Sequence, residues 1–248
     1  MIKDFINGIT AYFKAIPILK ELNLWRYFLI PAGLGLILGI IFITTAYTLS
    51  DDIGAYLAQF WKFEFGQGII QSIANFIGGI SIVLIGIMLY KHILMALSAP
   101  FMTPVSEKVE QYLNGNSRKD EIKPMHQLIR SIKLNLSNLI KELIITIPLM
   151  ILSFIPVIGV FFMLLTFYFQ AYYAGIGNMD YTLERHLNYK ESARFYKKYK
   201  GVAVGNGTVF TLLLFIPFIG IMISLPLATI AATIETVKKL NEFKNKID

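Results

Sequence analysis

The chain has no cysteine among its 248 residues, so disulfides and thiolate metal sites are both excluded. Charged residues are also scarce, at 16% of the chain against 55% hydrophobic residues. Two long stretches, 143–179 and 201–234, contain no Asp, Glu, Lys, Arg or His at all. Because each of these stretches exceeds the length of one membrane crossing, the composition indicates an integral membrane protein and excludes a soluble domain.

Catalytic motifs are missing as well. The sequence contains no P-loop, no Gly-x-Gly-x-x-Gly and no Gly-x-Ser-x-Gly, and its histidines lack metal-ligand spacing: His92, His126 and His186. An intramembrane catalytic pair or a proton relay would need ionisable residues inside the uncharged stretches. We therefore expect a protein that is not an enzyme, that holds no cofactor or metal, and that moves any solute passively.

Two similar strings interrupt the uncharged stretches near their middles, FIPVIG at 154–159 and FIPFIG at 215–220. Proline removes a helical hydrogen bond, and glycine lets the backbone reverse. The strings therefore predict two helical hairpins, with these residues in their turns: Pro156, Gly159, Pro217 and Gly220. The likeness of the strings has two interpretations: any membrane hairpin needs such residues, or the hairpins form a structural repeat that flanks a central path.

The rest of the chain predicts one surface helix and two spanning helices. Residues 1–20 place apolar side chains at helical spacing between lysines, which is typical of an amphipathic helix on the membrane surface. Segments 27–50 and 69–90 are uncharged and long enough to span a bilayer. Pro100 and Pro104 predict a helix break beyond the second span. We expect one all-α membrane domain over the whole chain.

The basic residues are distributed unevenly, and this predicts the topology. One of the 23 lysines and arginines lies in segment 51–68, whereas eight lie in 91–142 and six in 180–200. The excess of lysine and arginine on cytoplasmic loops places every charged segment except 51–68, and both termini, in the cytoplasm. Segment 180–200 is then cytoplasmic only if each uncharged stretch enters the membrane and returns.

Limb length predicts that the hairpins insert only partly. A limb such as 143–155 extends ~20 Å, whereas the hydrocarbon core is ~30 Å thick. The net charge of +7 is expected to face anionic lipid headgroups, so we expect no nucleic-acid partner. A cleavable signal peptide is not expected, because the first twenty-odd residues lack a continuous apolar run.

Four segments carry a family resemblance: SAPFMTPVSEKVE at 98–110, the two broken strings, AYYAGIGNMDYTLE at 171–184 and PLATIAATIE at 226–235. Together they resemble the bacterial sulfate permease CysZ and the wider etoposide-induced protein 2.4 (EI24) membrane family. The resemblance covers nearly the whole chain in order. It implies two long spanning helices with two partly inserted hairpins, a homo-oligomer in the bacterial inner membrane, and uptake of sulfate for cysteine synthesis.

The resemblance also implies an anion site. In the bacterial permeases, a Gly-hydrophobic-Arg-Arg stretch before the first spanning helix is associated with sulfate binding, and the matching positions here are Asn23, Leu24, Trp25 and Arg26. Arg26 keeps its type, whereas Asn23 and Trp25 replace the glycine and the first arginine. An arginine can bind an oxyanion through two donors. The alternative is an ordinary interfacial anchor made of aromatic rings and an arginine that reaches the headgroups.

A second candidate set is acidic: Glu107, Glu110, Asp180 and Glu184. Glu107 and Glu110 either form a solvated cytoplasmic face, or form an ion pair or a gate with segment 180–200, where Asp180 and Glu184 lie. Asp180 and Glu184 are four residues apart at the mouth of the first hairpin, which also leaves a cation or proton role open. Two functions remain open. The first is a permease or channel for a small inorganic oxyanion, most simply sulfate. The second is a membrane scaffold without transport that holds partners through its basic cytoplasmic segments.

Overall fold

The computed structural model describes residues 1–58, 67–115, 124–153, 158–216 and 219–244, with side chains excepted at 46–58, 67–85, 219, 221 and 244. Helix accounts for 93% of the described residues, and none of them forms a strand. The predicted all-α class is confirmed. The elements are α1 (Ile2–Glu21), a 3₁₀ helix (Leu24–Phe28), α2 (Leu29–Ala58), α3 (Gln67–Asn114), α4 (Pro124–Leu152), α5 (Gly159–Leu183), α6 (Tyr189–Lys198), α7 (Lys200–Leu214) and α8 (Ile219–Lys244).

In the described part of the chain, three helical segments are long and apolar enough to cross a membrane: Leu24–Thr45, Pro124–Leu152 and Gly159–Leu183. The last two are α4 with 29 residues and α5 with 25, which extend about 44 Å and 38 Å. The apolar limb of the first hairpin is therefore the end of a longer helix that begins in the amphipathic segment before it. The length of the apolar limb alone therefore underestimates the length of the helix. That the hairpins insert only partly into the membrane stays a prediction.

The predicted break at Pro100 and Pro104 is wrong, since α3 continues through both residues to Asn114. Prolines are tolerated in membrane helices where neighbouring groups satisfy the backbone carbonyls that the proline ring leaves exposed. Two hydrogen bonds from other segments tie this stretch of α3 to the bundle, at carbonyls other than those of Ala96 and Pro100, which the prolines leave without a helical donor. The Tyr181 hydroxyl donates to the Met95 carbonyl at 2.6 Å, and Arg185 donates to the Thr103 carbonyl at 3.5 Å.

The chain divides into two compact units, residues 36–91 and residues 1–35 with 92–248. The smaller unit contains most of α2 and the first half of α3. Within it the Phe42 ring approaches the Tyr90 ring edge-on at 6.2 Å, and a Cβ at Gly86 would lie 3.9 Å from the same Phe42 ring. The larger unit is a helical bundle that contains both hairpins and every candidate site residue.

Both hairpin breaks fall at the predicted strings, between α4 and α5 and between α7 and α8. Pro156 and Pro217 lie outside the described residues. Gly159 and Gly220 pack against the preceding limb so closely that a Cβ would lie 2.0 Å from the Ser153 carbonyl oxygen and 1.8 Å from that of Leu213. Only glycine fits this approach, so the two strings share one packing requirement.

The centre of the bundle is the close contact between α5 and α7, one helix from each hairpin. A Cβ at Gly175 would lie 1.8 Å from the Ala203 carbonyl oxygen, and one at Gly207 would lie 1.8 Å from that of Ala171. Small residues let two backbones approach in this way, as they do in membrane helix pairs. The hairpins therefore hold each other through their backbones.

Helix α1 packs against α7 and α8 along a face of small residues that includes Gly8, Ala11 and Ala15. The Tyr12 hydroxyl donates to the Asn206 carbonyl at 2.8 Å and fixes α1 to α7. Larger apolar side chains, including Ile6 and Phe13, are exposed on the opposite side. Helix α1 thus has a protein-facing side in addition to the apolar side that predicts membrane contact, and its position on the membrane surface stays a prediction.

Candidate anion site and buried charge network

A sharp turn joins α1 to the 3₁₀ helix at Asn23. Its backbone lies in the left-handed region with φ 48° and ψ 50°. No other non-glycine residue in the described part of the chain has a positive φ. Glycine adopts this region freely, and asparagine is among the few other residues that do so readily. Asn23 therefore supplies the backbone geometry that the turn needs.

The side chains after the turn point in different directions. Leu24 is completely buried, and Phe28 is buried one turn further on. Trp25 is 51% exposed and rests against Phe28 with ring centroids 5.5 Å apart. Arg26 is also exposed, and its guanidinium lies 5.4 Å from the centroid of the Tyr27 ring. The turn thus anchors itself through Leu24 and Phe28 and presents Trp25 and Arg26 outward.

Helix α3 approaches this turn with a second cation that sequence reasoning missed. The Lys108 ammonium lies 5.2 Å from the centroid of the same Tyr27 ring. One turn along α3, the Tyr112 hydroxyl donates to the Glu21 carboxylate at 2.7 Å, just before the turn at Asn23. The sequence places Lys108 between Glu107 and Glu110, so only the tertiary structure relates it to Arg26.

Glu110 is buried and forms an ion pair with segment 180–200. Its carboxylate accepts from Arg185 at 2.8 Å and lies 2.6 Å from the His186 ring nitrogen. Although burial opposes ionisation, the hydrogen bonds from His186 and Arg185 bring the pKa of Glu110 below its ordinary value. Glu110 is therefore part of an ion pair between α3 and the end of α5, and it does not belong to a solvated face. Glu107 is partly exposed, and its only described hydrogen bond is a 3.5 Å contact from Gln111.

Asp180 is also buried and is held by several donors. Arg130 of α4 donates to both carboxylate oxygens at 2.8 and 3.1 Å, and the Tyr196 hydroxyl of α6 donates to one of them. The same guanidinium donates to the Leu187 carbonyl at 2.9 Å and to the Ser192 hydroxyl at 3.0 Å. This bidentate pair joins α4, α5 and α6.

Glu184 lies at the end of α5 and accepts a short hydrogen bond from the Thr103 hydroxyl of α3. Burial raises the pKa of its carboxyl to about 7, and the nearby charge of Asp180 adds to the shift, against the opposing effects of Thr103 and two arginines. Beside it, three buried hydroxyls form a closed triangle with edges of 2.8, 3.0 and 3.0 Å: Ser106, Thr182 and Thr233. The sequence predicts none of these contacts between α3, α5 and α8.

A further buried pair joins α3 to α4. The His92 ring lies 2.8 Å from the Glu142 carboxylate and 3.2 Å from the side-chain oxygen of Asn135. The amide nitrogen of Asn135 donates to the Ser131 carbonyl at 3.0 Å. Sequence reasoning treated His92 as one of three dispersed histidines. Two of these, His92 and His186, each contact a glutamate of another element. No group of three or more potential ligands able to hold a metal occurs among the described residues.

The arginines therefore fall into two kinds. Arg130 and Arg185 are each bound to a carboxylate inside the bundle, where three carboxylates surround them. Arg26 is exposed, and the ion pairs of the described residues do not include it. An anion entering the buried network would meet Glu110, Asp180 and Glu184, whereas one at the Asn23 turn would meet cations.

Comparison with known proteins identifies the family. A family model described as sulfate transporter CysZ/etoposide-induced protein 2.4 matches residues 11–224, which is most of the chain. This chain belongs to that family. The resemblance seen in the sequence is thereby confirmed, and the family is one of transporters, not of enzymes. No match to an individual curated protein was found.

Proposed function

We propose that this protein is a membrane permease or channel through which a small oxyanion, most simply sulfate, moves passively. Membership of a transporter family supports the general role. One observation supports the anion: the Asn23 turn presents an exposed arginine that has no carboxylate partner in the described part of the chain. The arginines inside the bundle are already bound to carboxylates, so Arg26 is the better candidate to meet an anion.

Passive movement fits the composition of the predicted hairpins. Stretches 143–179 and 201–234 contain no ionisable residue that could carry protons through the membrane. The ionisable groups of the bundle lie instead at the ends of these stretches, as Glu142 and Asp180 do. A path that lets anions move in either direction needs a cationic site at its entrance and no site along its length that binds the anion tightly.

Flux through proteoliposomes tests this proposal. The purified protein is reconstituted, and uptake of labelled sulfate, phosphate and chloride is compared with uptake by empty vesicles. We expect sulfate uptake well above the background, and a roughly tenfold loss in Arg26→Ala, because one charge-assisted contact with the anion disappears. Arg194→Ala is the matched control, since Arg194 is also exposed and outside the described ion pairs. Absence of flux for every anion would refute the permease, and a stoichiometric partner found by cross-linking would then support the scaffold alternative.

We also propose that the protein lies in the bacterial inner membrane with both termini in the cytoplasm, and that it forms a homo-oligomer. The topology is directly measurable because the chain has no native cysteine. Ala193→Cys on α6 should react with a membrane-impermeant maleimide only from the cytoplasmic side, and Ala58→Cys at the end of α2 only from the outside. Labelling of both variants from one side would contradict the proposed topology.

A further inference from the structure

A small apolar cavity of about 180 Å³ opens beside the start of α1. Its walls come from the first turn of α1, from Tyr168 of α5 and from the start of α7, and almost all of its surface is made of apolar atoms. An apolar cavity of roughly 150 Å³ can hold a ring of six carbons. The cavity beside α1 is therefore large enough for several methylene groups, and its walls offer water few hydrogen bonds.

The close packing of α1 on α7 holds the walls of this cavity in place. A Cβ at Gly201 would lie 2.5 Å from the Met1 carbonyl oxygen, and one at Gly205 would lie 2.2 Å from that of Phe5. The two backbones touch at these glycines, and Ile2 and Val204 line the space beside the contact. Because Ile2 is 74% exposed, the cavity is open to the surface of the bundle.

Lys200 adds a positive charge to the apolar walls. It is exposed, it is the last charged residue before the uncharged stretch 201–234, and the ion pairs of the described residues do not include it. The Asp4 carboxylate, on the same turn of α1, is already paired with Lys239 and with the N-terminal ammonium, both at 3.4 Å. Tyr168 belongs to the other uncharged stretch. The cavity therefore combines a free cation with an apolar interior.

We propose that this cavity binds part of one acyl chain of an anionic phospholipid whose phosphate contacts Lys200. A free inorganic anion would gain from the lysine alone and an uncharged lipid from the apolar walls alone, whereas an anionic lipid gains from both. Segment 180–200 is predicted to face the cytoplasm, where the leaflet carries anionic lipids. The site lies at the end of α1 opposite the Asn23 turn, ~30 Å away along the helix, so it is separate from the proposed anion site.

Native mass spectrometry of the full-length protein in detergent tests the site, with phosphatidylglycerol and phosphatidylcholine of identical acyl chains as probes. The wild type should bind phosphatidylglycerol roughly fivefold more tightly, because one lysine near a headgroup contributes about this factor, and Lys200→Gln should bind both lipids alike. Ile2→Trp fills the cavity from an exposed position and should weaken binding of both lipids about tenfold, because methylene groups are kept out. The matched controls are Lys133→Gln on α4 and Ile6→Trp on α1, since both positions are exposed and outside the cavity.

A phosphatidylglycerol with a photoreactive acyl chain locates the bound lipid. Adducts are expected on residues 1–5, 168 and 200–204, and they should decrease in Ile2→Trp and persist in Ile6→Trp. Thermal unfolding shows that each variant is folded, and Val204→Phe fills the cavity from α7 if Ile2→Trp is not. Equal binding of both headgroups by the wild type, or an unchanged preference in Lys200→Gln, would overturn the anionic lipid. Adducts found only elsewhere, or undiminished when the cavity is filled, would overturn the site. None of these measurements involves sulfate, so their outcome is independent of the proposed permease.

Discussion

Cations occupy two contrasting settings in this protein. Inside the bundle, Arg185 is only 6% exposed and pairs with Glu110, and Arg130 pairs with Asp180 through two hydrogen bonds. At the Asn23 turn, Arg26 and Lys108 face one tyrosine ring outside the described ion pairs. A buried charge without a partner costs several kcal/mol, whereas an exposed charge keeps its hydration. The buried set therefore stabilises the fold, whereas Arg26, which is exposed, keeps its hydration and can meet a ligand.

The largest expected effect on stability comes from removing one partner of a buried ion pair. Arg185→Ala leaves Glu110 buried beside a cavity and removes donors to the Ser106 hydroxyl and the Tyr181 carbonyl. We expect it to destabilise the protein by about 3–5 kcal/mol. Denaturant or thermal unfolding in detergent measures the loss, with Arg194→Ala as the exposed control. A loss below ~1 kcal/mol would mean that the buried pair contributes little to the fold.

A smaller effect is expected from Glu184, and it depends on pH. Its pKa is raised from 4.5 to about 7, so the folded protein keeps a proton that the unfolded chain has released. The stability from this proton is present at low pH and is lost as the pH rises from 4.5 toward 7. Glu184→Gln copies the protonated form and should be more stable than the wild type above pH 7, by on the order of 3 kcal/mol, and similar to it near pH 4.

Unfolding temperatures measured across this pH range check the prediction for Glu184. The difference between wild type and variant should grow steadily as the pH rises. Parallel curves for the two proteins would show that the pKa of the carboxyl is the same in the folded and unfolded states.

The turn at Asn23 is expected to contribute less to stability than Glu184 does. Asn23→Gly should be close to neutral, because glycine adopts a positive φ without strain, whereas Asn23→Val should cost about 1–2 kcal/mol. If the turn geometry also places Arg26, Asn23→Val should weaken sulfate binding while Asn23→Gly preserves it. If the two variants have the same stability and the same sulfate affinity, the left-handed turn has no role in placing the anion site.

The smallest effect on stability is expected at Arg26. Arg26→Ala should change the free energy of unfolding by no more than ~0.5 kcal/mol, because the side chain is exposed and outside the described ion pairs. The same variant should lower sulfate affinity about tenfold. If Arg26→Ala instead lost much stability and kept its sulfate affinity, Arg26 would be a structural residue like the buried arginines.

Much of the fold followed from local patterns in the sequence. The all-helical class and both hairpin breaks could be read from uncharged length and from two Pro-Gly strings, because proline and glycine act on the backbone next to them. Local rules also failed in one place. Pro100 and Pro104 predicted a break, yet α3 continues through both, and contacts from Tyr181 and Arg185 tie this stretch to the rest of the bundle.

The candidate site was predictable only in part. Arg26 and Asn23 were identified through the family motif, and Glu110 through its charge, although a solvated face was the preferred interpretation. Lys108 was passed over because its neighbours along α3 are glutamates. The contact between His92 and Glu142 was also missed, because the two residues are 50 positions apart and belong to different helices.

The sequence by itself determined that this is an all-α membrane protein of a transporter family, with two hairpins broken at fixed strings. These properties depend on composition, run length and residues adjacent in the chain. Only the tertiary structure decided which charges are paired and which are free. Glu110 and Arg185 are separated by 75 positions, and Lys108 meets Tyr27 only because of how α3 packs beside the Asn23 turn. Such contacts depend on the register between packed helices, which residues adjacent in sequence do not encode.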